Sequence, residues 1–316
     1  MSKNVMSRTE SLLAVKSLGS IDATGAQERA SALMGRSFKS ASKERAIDLA
    51  ISMLDLTTLE GTDTPATIRD LVKRATNPDN SIQGLPSTAA VCVYGDRVEL
   101  AKNFLVELNS PVKLAAVSTA FPSGRNTLDL KLRETLNILE AGADEIDMVI
   151  DRAALLSGDY AKVYDEVRQT ALLCSEFNAK LKVIFETGEL ASLENINLAS
   201  WLAIFAGADF IKTSTGKIST AATPTSTLIL LRAAREAYDS YGLKVGVKPA
   251  GGIKTSKDAL GYLALVEETA GEEWLNKDLF RFGASSLLSD LLLQRQKILF
   301  GGYSSANYVA GASSGY

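Results

Sequence analysis

The 316-residue chain contains no histidine at all. That absence removes Ser-His-Asp and Cys-His triads, histidine-ligated zinc and imidazole acid-base chemistry in one stroke. Any catalysis must run on Lys, Asp, Glu, Tyr, Ser, Thr or Cys. There are two cysteines, Cys92 and Cys174, too few for a disulfide framework or a Cys-rich zinc site, as expected in a reducing compartment. Net charge is only -3, so the chain has neither a basic field for nucleic acid nor a polybasic membrane patch. No apolar run approaches the ~18 residues of a membrane span, and the N-terminus lacks a signal-peptide core. These absences predict a cytoplasmic protein whose partners are small metabolites. They leave self-association into a homo-oligomer open.

What is present is a regular alternation. Short β-rich apolar runs, predicted as strands at 51–57, 89–94, 112–118, 145–150, 181–187, 209–214, 244–250 and 279–285, are separated by helical stretches. Eight βα units between Asp55 and Ser285 match a (β/α)8 TIM barrel, typically about 250 residues long. One helix shows the signals plainly. Thr223 is placed to cap it, Pro224 to occupy its first position, Gly242 to close it, and Leu228, Leu231, Ala234 and Tyr238 to face the barrel. We predict a helical or partly disordered N-terminal extension over 1–45, the barrel over 46–300 and a flexible tail over 301–316. Glu10, Asp22 and Glu28 argue against a transit peptide.

An internal echo fixes the geometry. "AGADEID" begins at Ala141 and "AGADFIK" at Ala206, so Asp147 and Lys212 hold matching places in the fourth and sixth units. Alternate strands of such a barrel feed one interior layer, which predicts that Asp147 and Lys212 point inward at one height near the C-terminal mouth. Lys248 in "VGVKPAGG" ends the next strand. Burial and mutual repulsion both favour a neutral amine, the form that attacks a carbonyl to make a Schiff base. The bland alternative is that strand-end lysines reach out to solvent.

Other candidates lie at the same face. Asp55, ending the first strand, could position substrate hydroxyls or balance the lysines, or simply cap a turn. Glu186 and Thr187 in "FETGEL" are weaker candidates. "STGKI" fails as a P-loop because Ile211 and Ile218 stand where that motif needs Gly and Ser or Thr. Instead, Thr215, Gly216 and Lys217, with Gly251 and Gly252 and with Ser285 and Ser286 at a helix start, form three loops suited to a phosphate. Each glycine taken singly reads as a tight turn. Cys92, Trp201 and Trp274 read as packing residues.

The blocks "LDLT", "AAVCVY", "EIDMVI", "FIKTSTGK", "GVKPAGGI" and "FGASSLL", in this order, resemble the deoxyribose-phosphate aldolase family from about residue 45 to 300. The resemblance implies a (β/α)8 barrel and a metal-independent Schiff-base aldolase without cofactor. Its expected reaction interconverts 2-deoxy-D-ribose 5-phosphate with acetaldehyde and D-glyceraldehyde 3-phosphate, in deoxyribonucleoside catabolism. It also implies Lys212 as the Schiff-base lysine, Lys248 as the lysine that perturbs it and Asp147 as the proton-transfer carboxylate. Family members usually carry Pro where Gly95 stands and Arg where Lys254 stands, and some use a C-terminal tyrosine, here Tyr316. The residues alone would also serve a keto-acid aldolase or a non-catalytic sugar-phosphate-binding barrel.

Overall fold

The computed structural model describes residues 6–36 and 40–301. The predicted tail, with Tyr316, lies outside the described residues apart from Gly301. Seven parallel strands pair strictly in chain order: β1 (Asp55–Thr57), β2 (Ala90–Val93), β3 (Lys113–Ser118), β4 (Glu145–Val149), β5 (Lys180–Ile184), β6 (Phe210–Lys212) and β7 (Gly246–Lys248). Twelve α-helices accompany them among the described residues. Three precede the sheet: α1 (Arg8–Lys16), α2 (Ala23–Met34) and α3 (Ser40–Ser52). Then follow α4 (Pro65–Thr76), α5 (Val98–Glu107), α6 (Leu128–Glu140), α7 (Arg152–Leu156), α8 (Tyr160–Glu176), α9 (Leu193–Ala206), α10 (Pro224–Tyr241), α11 (Ser256–Thr269) and α12 (Leu287–Phe300). The result is a TIM-barrel-like curled sheet inside a helical shell.

Two strand expectations need correction. The first strand begins at Asp55, not at residue 51, because Ile47, Ala50 and Ile51 form a fully buried helical stripe that ends α3. The eighth, expected at 279–285, is not a regular strand. Its place is taken by isolated bridges, Phe280 with Val247 and Gly283 with Ala250 on one side and Phe282 with Leu54 on the other. Arg281 N–H donates to Val247 O (3.1 Å), and Asp55 N–H donates to Phe282 O (2.9 Å), so the segment touches both edges of the sheet. Gly283 explains the tight fit there, since a Cβ on it would lie 2.8 Å from the Ala250 methyl.

The repeated "AGAD" is a corner with a mechanical job. Gly142 (φ +102°) and Gly207 (φ +103°) take the left-handed conformation that closes α6 and α9. The aspartates that follow tie back to the preceding strand: Asp144 Oδ2 accepts from Leu114 N (2.8 Å) and Asp209 Oδ2 from Leu181 N (2.9 Å). Two identical corners therefore launch β4 and β6 with identical phase. Helix α10 runs as the sequence signals indicate, with Thr223 Oγ1 accepting from Ser226 N and Gly242 at φ +67°. Tyr238 does not face the barrel, however; it is exposed and stands edge-on to Trp274 under Arg235 and Lys244.

Alternation along the strands sorts side chains into two cores. Ile146 and Met148 of β4, and Leu181 and Val183 of β5, join the large apolar layer beneath the helices. The opposite phase fills the interior, which is apolar on the β2–β3 side, where Cys92, Ala115 and Val117 meet Leu59, Tyr94 and Phe121. Lower down, Phe210 occupies the space that Gly246 leaves, and the Arg281 guanidinium lies 5.5 Å from the centre of its ring. A Cβ on Gly246 would stand 2.3 Å from that ring. Gly246→Ala should therefore lower stability by about 1–3 kcal/mol, read as a lower urea midpoint, whereas Gly19→Ala, with nothing within 4 Å, should leave it nearly unchanged.

Candidate active site

The other half of the interior is charged. Asp147 on β4 stands at its centre: Oδ1 accepts from Lys182 Nζ (2.6 Å), and Oδ2 accepts from both Lys212 Nζ (2.6 Å) and Lys248 Nζ (3.0 Å). Lys248 also meets Asp55 Oδ2 at 2.6 Å. Arg281 reaches across from the closing segment, donating from Nη1 to Asp55 Oδ1 (2.6 Å) and from Nη2 to Glu145 Oε1 (2.9 Å). Glu145 Oε2 in turn lies 2.6 Å from Lys182 Nζ. All seven groups are buried, so no lysine of the set reaches out to solvent. Lys212 is 4% exposed while Lys182 and Lys248 are 0% exposed, which makes Lys212 the lysine nearest the mouth.

Three carboxylates face four cations, and the excess must be resolved inside a low-dielectric space. Lys248 is held charged well above the ordinary lysine value; burial opposes the charge, but Asp147 and Asp55 outweigh it. Lys182 is likewise raised by Asp147 and Glu145 against its burial. Asp147 is pushed well below the ordinary carboxylate value because Lys182, Lys212 and Lys248 overcome its desolvation. Lys212 alone moves the other way. Its burial lowers it, Asp147 raises it, and Lys248 lowers it again, leaving a net shift toward the free amine. A lysine biased toward its free amine and in contact with a carboxylate has the chemistry of a nucleophile for carbonyl carbon.

Glu145, Lys182 and Arg281 belong to the same buried network, and motif reading passes over them. The signal was available in the alternation: each is a charged residue in the inward phase of a strand-like run, two before Asp147 in "EIDMV", in the middle of "KLKVI", and between the phenylalanines of "FRF". Register completes the picture, since Asp147 pairs with Lys182 and Lys212 with Lys248.

The mouth is built by the loops after β6, β7 and the closing segment. Gly216 (φ +81°) and Gly251 (φ +73°) lie side by side, a Cβ on Gly251 falling 3.7 Å from Gly216 Cα, and Gly252 (φ +79°) is exposed next to them. Ser286 is exposed at the start of α12 with no capping bond from its side chain. The other three loop residues are already engaged. Thr215 Oγ1 donates to Glu186 Oε2, and burial raises that carboxyl. Ser285 Oγ donates to Thr57 O (2.8 Å) and accepts from Thr57 N. Lys217 Nζ binds Leu59 O (2.6 Å) and Glu60 Oε1 (2.7 Å), crossing the mouth to the loop after β1. Lys254 is exposed just beyond Gly252. Gly95 has a packing reason of its own, since a Cβ there would stand 2.8 Å from the Ile138 side chain. A cleft of about 920 Å3 on the flank, lined by Arg8, Arg125, Lys162 and Glu166 among others, contains none of the network lysines.

A buried lysine in contact with a carboxylate in a TIM-barrel-like sheet has the chemistry that a Schiff-base lyase needs. Residues 46–291 match the model of the DeoC/LacD family aldolases, and the chain belongs to that family. The deoxyribose-phosphate aldolase of Mus musculus is 46% identical over 254 residues, covering 77% of this chain and 78% of the mouse protein. The Homo sapiens enzyme of the same name is 44% identical over 250 residues, with the same coverage of each chain. Among solved structures, the tetrameric deoxyribose phosphate aldolase of Aeropyrum pernix superposes with a TM-score of 0.62 at 26% identity, covering 83% of this chain and 98% of its own. No helix among the described residues is long and apolar enough to cross a membrane.

The ionic network makes opposite demands on its members. Arg281→Met strips Asp55 and Glu145 of a buried partner and should cost about 3–5 kcal/mol. Lys212→Met removes the surplus cation, so its urea midpoint should match or exceed that of the parent chain.

Proposed function

We propose that this chain is a deoxyribose-phosphate aldolase that cleaves 2-deoxy-D-ribose 5-phosphate reversibly to acetaldehyde and D-glyceraldehyde 3-phosphate. The observation that carries the reading is the Lys212–Asp147–Lys248 contact, in which the one lysine biased toward its free base shares a carboxylate oxygen with a lysine held charged. We take residues 46–300 as the catalytic unit and the segment 279–285 as the eighth stave of a (β/α)8 barrel.

In this mechanism Lys212 Nζ attacks C1 of the open-chain sugar phosphate. Loss of water gives an iminium, which accepts the electron pair of the C2–C3 bond. Asp147, directly or through a water, takes the C3 hydroxyl proton as that bond breaks, and D-glyceraldehyde 3-phosphate departs. Lys248, bonded to the same oxygen of Asp147, passes a proton onward, and the enamine on Lys212 is protonated and hydrolysed to acetaldehyde. Asp55 holds Lys248 in place and charged. The phosphate rests on the backbone at Gly216, Gly251 and Gly252 and at the start of α12, with Ser285, Ser286, Thr215 and Lys217 around it. Seating it requires Lys217 to exchange Glu60 for the phosphate oxygens. Phosphate binding remote from the reacting bond orients the sugar and contributes to the rate.

Borohydride reduction in the presence of acetaldehyde should fix a two-carbon adduct on Lys212, located by peptide mapping. Lys212→Ala should lose both the adduct and at least ~10^4-fold in cleavage rate, since no other group offers a covalent electron sink. Substantial residual cleavage, or a preference for pyruvate or dihydroxyacetone as donor, would overturn the assignment.

A further inference from the structure

We propose that Glu145 and Lys182, neither of which touches the reacting amine, are positioning residues that control the protonation of Lys212 by fixing the barrel interior at one positive charge in excess. The proposal rests on the reading of Lys212 as the Schiff-base lysine, and it concerns how that lysine is kept reactive.

Geometry supplies the argument. The charged groups of the interior come from β1 (Asp55), β4 (Glu145 and Asp147), β5 (Lys182), β6 (Lys212), β7 (Lys248) and the closing segment (Arg281). From β2 only the Cys92 thiol is titratable, and burial pushes it up to about 11, so it stays neutral. The β3 side offers Ala115 and Val117, which carry no charge. Glu186, at the end of β5, is turned to the Thr215 backbone and hydroxyl. Among the described residues, three carboxylates thus meet four cations with no other buried titratable group to offset the difference; Lys180, in the same phase of β5, is only part-buried, with its ammonium 6.0 Å from the centre of the Phe210 ring.

Three of the cations are locked by at least two carboxylates each, Lys182 also lying 3.9 Å from Asp55. Lys182 lies 2.6 Å from both Glu145 and Asp147, Lys248 spans Asp55 and Asp147, and Arg281 spans Asp55 and Glu145. Lys212 has Asp147 alone. The proton that leaves when the surplus is relieved is therefore the one on Lys212. Lys182 also occupies Oδ1 of Asp147, which leaves only Oδ2 for the two amines at the mouth. On this view the perturbation of Lys212 belongs to the whole set, and Lys248 is one contributor.

The test is the acidic limb of kcat/KM for cleavage of 2-deoxyribose 5-phosphate across the pH range, in three variants checked for folding by near-UV circular dichroism. Glu145→Gln removes a negative charge and should move the limb down by about one pH unit; Lys182→Met removes a positive charge and should move it up by a similar amount. The double variant restores the count and should return the limb to within a few tenths of a pH unit of the parent. If Lys182→Met does not fold, the sign of the Glu145→Gln shift and its cancellation in the double variant still decide. Shifts of the same sign in both single variants, no shift in either, or no cancellation in the double variant would overturn the proposal. Borohydride trapping is run alongside on every variant. An adduct at Lys212 with an unmoved limb sinks this inference alone, whereas an adduct at another lysine in the parent chain sinks the reading beneath it.

Discussion

A single carboxylate, Asp147, is the point on which the interior depends. Its two oxygens take three ammonium groups from three different strands. A buried carboxylate of this kind is expensive to desolvate, and it is stable only because its partners arrive from β5, β6 and β7 in fixed register. The barrel-like curl is what brings β4 opposite β6 and β7. Fold and chemistry are therefore coupled at one residue: the sheet must close enough for these strands to share an ion, and the ion in turn holds the strands together.

The interior is divided by chemistry as much as by shape. Cys92, Ala115 and Val117 give the β2–β3 side an apolar surface, while β1, β4, β5, β6, β7 and the closing segment supply the charge. An apolar wall strengthens every interaction facing it, since it weakens the field less than water does.

Much of this could be read in the sequence, and for definite reasons. The twin "AGAD" corners carry the phase of β4 and β6, so the inward direction of Asp147 and Lys212 follows from six residues of repeat. Proline and threonine mark the start of α10, and glycine marks its end. The failures are equally physical. Ile51 satisfies a helical stripe and a strand alternation at once, and only the packing of α3 decides between them. The closing segment has strand-like composition, yet its bridges are too scattered to make a ladder. Tyr238 sits on the α10 stripe but finds cationic partners at the surface. Glu145, Lys182 and Arg281 were hidden because each looks like an ordinary surface charge until its strand is known to be buried on both faces. Lys217 and Ser285 lie in the expected loops, but their side chains are committed to Glu60 and to the Thr57 backbone, pairings that connect distant parts of the chain and leave no trace in local sequence.

Phe210, seated against Gly246 beneath the Arg281 guanidinium, gives the charged chamber a floor. On the mechanism proposed above, a fragment bonded to Lys212 lies between that floor and its companion, so the companion leaves first. That order of departure would follow from the placement of Phe210 beneath the network.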